Sequence, residues 1–143
     1  MIPRPQQALG DLAIKLMMSI APETQSSYAA SNAGIMAVLM QCLAQDFDRA
    51  AAVRTEDLDE LTTLFTNLPA TLDSELAESV AMFLRGSAQS LRIEHLNARH
   101  SDGMELLILL HTWAEQHHAV ELDRAIWGFL ARHADRHAYQ VMV

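Results

Sequence analysis

The chain has 143 residues, of which 50% are apolar, with only five glycines and four prolines. This length is enough for one domain with its own core, and the composition favours helices. The net charge of −8 argues against the concentrated positive surface that nucleic-acid backbones require. The sequence therefore predicts an all-α protein, a single-domain helical bundle over residues 1–143, with no nucleic-acid partner.

Cysteine use and hydropathy indicate where such a protein resides. The single cysteine, Cys42, cannot form an internal disulfide, which is typical of a reducing compartment. No apolar run approaches the length that spans a bilayer. The first residues also lack the apolar core of a signal peptide. We therefore expect a cytoplasmic protein without membrane association.

Apolar residues recur at helical spacing along most of the chain. Prolines and capping residues divide this pattern into about six helices, mostly antiparallel neighbours. The predicted helices cover residues 6–20, 23–46, 55–68, 71–98, 101–116 and 120–137. The alternative for the fourth of these helices is that Gly86 breaks it.

Half of the eighteen acidic residues lie between Asp46 and Glu78, where only two arginines accompany them. Glu56, Asp57, Asp59 and Glu60 follow Thr55, the predicted N-cap of the third helix. Carboxylates in a first turn offset the helix dipole. Helix starts thus account for most of this acidity, and a docking surface for a basic partner is the alternative.

All seven histidines lie between His95 and His137, and several share a helix face with another ligand-type residue. If the last two helices form a hairpin that turns near residues 118–119, His111 lies opposite Ile126. It is then about 10 Å along the axis from His133. His111, with Glu115 and His118, therefore cannot share one metal ion with the pair His133 and His137.

A second group of polar residues is predicted to meet at one end of the bundle. Glu94 continues the apolar stripe of the predicted fourth helix, and the turn near residue 100 brings the neighbouring helices level there. The group consists of Glu94, His95, His133 and His137, with His100 beside them. A carboxylate with imidazoles suits a single divalent metal ion or proton transfer. The alternative is structural, since histidines are favoured at helix C-termini and carboxylates pair with them. No other cofactor is predicted.

The fifth helix is apolar almost all round, which indicates a central position in the bundle or a helix shared with a second subunit. Its candidate interface residues are Leu106, Leu110 and Trp113. Trp127, on the last helix, lies off the apolar stripe and is a further candidate for contact with another subunit.

No nucleophile, phosphate-binding or dinucleotide motif is present. We therefore expect a non-catalytic protein-interaction or regulatory module that acts as a homodimer or binds another protein. The alternative is a metal- or small-ligand-binding bundle that uses the Glu/His group.

Overall fold

The computed structural model describes residues 4–140. Of these residues 82% are helical and none forms a strand, which confirms the all-α prediction. A π-helical turn (Leu16–Ile20) joins the first two helices, so they form one continuous rod. The described chain then has five separate helices, close to the six predicted. The helices are α1 (Pro5–Lys15), α2 (Ala21–Glu23), α3 (Ser27–Thr66), α4 (Ser74–Arg85), α5 (Ile93–Gln116) and α6 (Val120–His137).

The chain divides into two compact units. The N-terminal unit contains Met1–Ala50 and Tyr139–Val143, and the C-terminal unit contains Ala51–Ala138. The boundary between them falls within the sequence of α3. The prediction of a single domain over residues 1–143 stays a prediction.

In the N-terminal unit, the buried positions on α1 and on the first part of α3 carry small side chains. Among residues 4–140, the buried apolar residues of this unit are all alanines: Ala13, Ala33, Ala37 and Ala44. The returning C-terminal segment is fixed to α3 by polar contacts. Gln45 exchanges two hydrogen bonds with the backbone of Gln140, at 2.7 and 3.0 Å, and the Tyr139 hydroxyl donates to Asp46 at 2.8 Å.

The C-terminal unit has a conventional apolar core between α3, α4, α5 and α6. Phe65 and Phe83 meet edge to face with their ring centroids 5.2 Å apart. Helix α5 approaches these residues closely at Gly103, where an added Cβ atom would lie 2.9 Å from Leu61. The core residues are Leu61, Phe65, Val80, Phe83, Leu106, Leu107, Leu110, Trp113, Ala114, Leu122, Ile126 and Phe129.

Four predicted helix boundaries are wrong, and both boundaries of the last helix are right. Residues 46–54 do not separate two helices but belong to α3, because they contain no glycine or proline and include three consecutive alanines. Helix α4 ends at Arg85 instead of near residue 98, and α5 begins at Ile93 instead of residue 101. The bounds of α6, residues 120–137, are confirmed.

The early end of α4 has a local cause. Gly86 adopts an extended conformation (φ −87°, ψ 166°) and ends the helix. The guanidinium of Arg99, on α5, donates to the carbonyl oxygens of Phe83 and Gly86 and lies over the Phe83 ring. Arg99 therefore satisfies carbonyls that the end of a helix leaves without partners. The end of α4 at Gly86 agrees with the alternative prediction that this glycine breaks the fourth helix.

Candidate functional site

The polar centre of the C-terminal unit is Asp57, a fully buried carboxylate on α3 with 0% exposure. Its Oδ2 atom accepts hydrogen bonds from His100 Nε2 at 3.0 Å, His133 Nδ1 at 2.9 Å and His137 Nε2 at 2.7 Å. Its Oδ1 atom accepts a hydrogen bond from Arg136 Nε at 2.8 Å. We call Asp57, His100, His133 and His137 the Asp57 cluster.

Three helices supply the Asp57 cluster. His133 and His137 are four residues apart on α6, so their side chains lie on one face. Their ring centroids are 4.1 Å apart, and the ring of His100, from α5, stacks on His133 at 5.5 Å. The ring of Phe129, one turn earlier on α6, also stacks on His133, with the ring centroids 5.7 Å apart. The imidazoles are thus held by packing as well as by Asp57.

Charged residues surround the cluster on α3 and α6. Arg136 bridges Asp57 and Glu60, and its Nη1 atom lies 2.8 Å from Glu60 Oε1. Arg132 also donates to Glu60, at 3.0 Å. On the opposite side, Arg54 Nη1 lies 3.0 Å from Nδ1 of His137. Buried charges are stable only when they are paired and hydrogen-bonded in this way.

The tautomer of His137 follows from these contacts. A carboxylate only accepts hydrogen bonds, so Nε2 of His137 carries the proton that it donates to Asp57 at 2.7 Å. Arg54 Nη1 lies 3.0 Å from Nδ1 and 3.1 Å from Nε2, and Nδ1 is the nitrogen left to accept from it. Arg54 is itself held by Asn97, whose side-chain oxygen accepts from its Nε atom at 3.0 Å.

These neighbours change the pKa values of Asp57, His100 and Glu60. Burial alone would raise the pKa of Asp57, but hydrogen bonds from His137, Arg136 and His133 outweigh it and lower the pKa to about 2. Burial lowers the pKa of His100 below its usual value, against the opposing effect of Asp57. The hydrogen bond from Arg136 lowers the pKa of Glu60. Asp57 is therefore an ionised carboxylate at neutral pH.

The arrangement brings four atoms of metal-ligand type together. One atom from each residue of the Asp57 cluster lies within 4.8 Å of the other three. Imidazole nitrogen and carboxylate oxygen are common ligands of zinc and related divalent ions. Chemically, the cluster can hold a proton network or a single metal ion.

The structure brings together only part of the predicted metal group. His133 and His137 lie in the Asp57 cluster with His100, whereas Glu94 is exposed and His95 bonds to Ser90 Oγ at 2.9 Å. The reason is the helix boundary. Glu94 and His95 occupy the first turn of α5, and they do not continue the stripe of α4.

The sequence pattern predicts a different role for Asp57. It places this carboxylate in the first turn of a helix that begins at Thr55, but α3 is continuous there. A signal in the sequence was available, because Asp57 precedes Leu61 by four residues and Phe65 by eight. That spacing places it on the buried face of the helix.

The second histidine group, His111, Glu115 and His118, has contacts of its own. The hairpin register of the last two helices predicts that it is separate from His133 and His137. His111 Nε2 bonds to Asp123 Oδ1 at 3.0 Å, and Glu115 is 4.0 Å from the same nitrogen. The His111 ring meets Trp127 edge to face at 5.4 Å. His118 is an exposed residue of the α5–α6 turn with a positive φ of 52°.

The candidate interface residues fall into two classes. Leu106, Leu110 and Trp113 are 6%, 0% and 6% exposed, so they stabilise the core of the C-terminal unit and have little surface left for a partner. A helix that is apolar all round is central here, one of the two options that its pattern allows. Trp127 is 58% exposed and remains on the surface.

An open groove of about 970 Å³ runs along the end of α3 and the first half of α6. Leu64, Leu122 and Phe129 contribute apolar walls, and Gly128 leaves room between them. Glu60 and Arg132 line the groove as well as belonging to the ion pairs around Asp57. The groove and the Asp57 cluster therefore share a polar wall.

The N-terminal unit presents a second feature of functional interest. Eleven of the eighteen large apolar residues that are exposed in the described chain belong to this unit. Six of them lie on one side of α3, and each is more than half exposed. We call this set the α3 stripe: Tyr28, Ile35, Met36, Leu39, Leu43 and Phe47.

Among residues 4–140, none of the helices combines the length and the apolar character that crossing a bilayer requires. No protein-family model, curated protein or solved structure matches this chain.

Proposed function

We propose that the chain is a non-catalytic protein-interaction module that forms a homodimer through the α3 stripe. The observation that carries this proposal is the distribution of apolar surface in the N-terminal unit. In the described part of this unit the buried apolar residues are four alanines, whereas the larger side chains of the α3 stripe are exposed. A contiguous exposed apolar surface of this kind marks an interaction site.

The stripe follows helical geometry. Ile35, Leu39 and Leu43 are spaced by four residues, and Tyr28 precedes Ile35 by seven. At 100° per residue these positions lie on one side of α3, while the buried residues Ala33, Ala37 and Ala44 lie on roughly the opposite side. The alanine side thus packs within the unit and leaves the stripe for a partner.

A second copy of the chain fits the charge of this surface. No Asp, Glu, Lys or Arg occurs in residues 24–45. The whole N-terminal unit carries four acidic and three basic residues, a net charge of −1. The stripe therefore offers nothing to select an oppositely charged partner. It pairs with its own copy without like-charge repulsion, as a twofold interface requires.

The size of the stripe is also close to what a dimer needs. Six large side chains, each more than half exposed, offer roughly 600 Å² of surface, against about 800 Å² per partner in a stable interface. Two such helical pairs would form a four-helix arrangement with an apolar centre.

The proposal is tested by the mass of the untagged protein in size-exclusion chromatography with light scattering. The wild type is expected to have twice the mass of the chain at micromolar concentration. Leu39→Glu places a charge in the centre of the stripe and is expected to give a monomer. Leu109→Glu is the matched control, because Leu109 is 56% exposed on α5 and Leu39 is 57% exposed.

A monomeric wild type, or a Leu39→Glu protein that remains dimeric, contradicts the proposal. Dissociation by Leu109→Glu alone would assign the dimer to a different face. The proposal includes a cytoplasmic location, where the single thiol of Cys42 on α3 stays reduced.

A further inference from the structure

We propose that Asp57, His100, His133 and His137 form a binding site for one divalent transition-metal ion of the zinc type. The site is independent of the proposed dimer, because all four residues belong to the C-terminal unit. Imidazole nitrogen atoms of His100, His133 and His137 crowd around a single oxygen atom, Oδ2 of Asp57.

Hydrogen bonding alone does not account well for that crowding. One carboxylate oxygen has two lone pairs, yet Oδ2 of Asp57 has three imidazole nitrogens at 3.0, 2.9 and 2.7 Å. The other oxygen, Oδ1, contacts Arg136. Three hydrogen-bond donors thus point at one oxygen atom that has two lone pairs to accept them. The same convergence is what a shared cation requires of its ligands.

The distances suit a tetrahedral ion after small movements. Zinc binds nitrogen and carboxylate oxygen at about 2.0–2.2 Å, which separates the ligand atoms of a tetrahedral site by about 3.3 Å. The three oxygen–nitrogen distances must therefore lengthen by about 0.3–0.6 Å. The widest separation, 4.8 Å at most, must shorten by about 1.5 Å. Rotation of the imidazoles about their side-chain bonds can supply these changes.

The chemical class of the ion follows from the ligands. Three imidazoles and one carboxylate suit Zn²⁺, Co²⁺, Ni²⁺ or Cu²⁺, whereas Mg²⁺ and Ca²⁺ require mostly oxygen ligands. The histidine side chains are 12%, 23% and 26% exposed, so an ion can reach the buried carboxylate past them. Because all four ligands come from the protein, the expected site is a closed, structural one.

Groups behind the ligands orient the carboxylate. Arg136 holds Oδ1 at 2.8 Å through its Nε atom and contacts Glu60 at 2.8 Å through Nη1. This leaves Oδ2 directed at the three imidazoles. Such outer hydrogen bonds to a ligating carboxylate are characteristic of metal sites.

One neighbour competes with the ion. Coordination by Nε2 of His137 requires its proton to move to Nδ1, but Nδ1 accepts a hydrogen bond from Arg54 at 3.0 Å. Arg54 must therefore turn away when the ion binds, and its charge opposes the ion while it remains near. The site then binds its metal more weakly than its ligand set alone would.

The test uses the untagged full chain, stripped with a chelator and titrated with zinc chloride by calorimetry. One Zn²⁺ per chain and no saturable binding of Mg²⁺ are expected. His133→Gln and His137→Gln remove one ligand each and are expected to weaken zinc binding at least 100-fold. Far-ultraviolet circular dichroism checks that each variant keeps its helical content.

His95→Gln is the matched control, because His95 lies outside the Asp57 cluster and bonds to Ser90. It is expected to bind zinc as the wild type does. Absence of one-equivalent binding, or an equal affinity in His133→Gln and His95→Gln, overturns the site, as does an equal loss in both. Leu39→Glu should retain zinc binding, so failure of the dimer and failure of the metal site are distinguishable.

Discussion

Asp57 and His137 are joined by a hydrogen bond of 2.7 Å between Nε2 and Oδ2, although 80 positions separate them in the sequence. His137 is the last residue of α6, and Asp57 lies in the part of α3 that belongs to the C-terminal unit. His100 adds a bond from α5 to the same oxygen. One buried carboxylate therefore connects three of the helices of this unit.

Replacing Asp57 by alanine is expected to destabilise the C-terminal unit. The substitution leaves three imidazoles and Arg136 without their shared acceptor in a buried position. Removing one partner from such a buried network costs about 3 kcal/mol. Urea unfolding monitored by circular dichroism, with chelator present, measures the change in the free energy of unfolding.

Asp59→Ala is the control for that experiment, because Asp59 is an exposed residue of the same helix. It is expected to change the free energy of unfolding by less than about 0.5 kcal/mol. Equal effects of Asp57→Ala and Asp59→Ala would show that the Asp57 cluster does not stabilise the unit.

The ion pairs of Glu60 should make stability depend on pH. The hydrogen bond from Arg136 lowers the pKa of Glu60 in the folded chain below its usual value of 4.5. A lowered pKa contributes stability that is complete above the unfolded value and is lost as the pH falls through the folded value. The wild type should therefore exceed Glu60→Gln in stability near neutral pH, and this difference should shrink below about pH 4.5.

Urea unfolding of both proteins at several pH values, in the presence of chelator, checks this dependence. Glu56→Gln, an exposed change on the same helix, controls for the loss of one negative charge. A difference between wild type and Glu60→Gln that stays constant, or grows, on acidification would contradict the role of Arg136.

Gly103→Ala is expected to destabilise the protein although alanine is the better helix former. An added Cβ atom would lie 2.9 Å from Leu61 and 3.1 Å from Phe83, and both side chains are buried in the core. Overpacking of this kind costs about 1–3 kcal/mol. The melting temperature measured by circular dichroism should fall.

Gly128→Ala tests the same substitution where space is available. The nearest atom to its Cβ is the flexible end of Arg132 at 3.4 Å. The gain in helix propensity, up to about 1 kcal/mol, should then raise the melting temperature. If Gly103→Ala is as stable as Gly128→Ala, the close approach of α5 to Leu61 is not a constraint.

Arg54→Gln is expected to tighten zinc binding by about tenfold. The substitution removes a positive charge next to His137 and frees Nδ1 for the proton that Nε2 must lose. Repulsion between a cation and a divalent ion at about 5 Å in a water-like dielectric is of this size. Calorimetric titration measures the affinity, and Arg92→Gln, an exposed arginine before α5, serves as the charge control. Unchanged or weaker binding in Arg54→Gln would show that Arg54 does not compete with the ion.

Local sequence patterns predict much of this fold. The fold class is confirmed, and the bounds of α6 are correct because its apolar spacing is regular and its first turn is acidic. Gly86 marks the true end of α4 in the sequence, but spacing alone does not show that the carbonyls there are satisfied by Arg99, a residue of the next helix. Such a tertiary contact leaves no mark on local spacing.

The candidate site could be predicted only in part. The i, i+4 spacing of His133 and His137 is visible in the sequence, and so is their separation from His111. Asp57 is not among the predicted site residues, because a carboxylate near a predicted helix start is explained by the helix dipole. Its burial depends on the continuity of α3 and on partners 43 to 80 positions away, which a reading of neighbouring residues does not reveal.

The last turns of α6 supply three of the four partners of Asp57: His133, Arg136 and His137. During synthesis on a ribosome, α3 is complete long before these residues emerge, so the carboxylate must stay in water until the end of α6 arrives. A chain released before residue 133 would lack His133, Arg136 and His137, and His100 would be the one of the four partners left to Asp57. It would have to bury the carboxylate with that one partner or leave α3 unpacked. Asp57 therefore favours folding of the C-terminal unit only when the last helix is present.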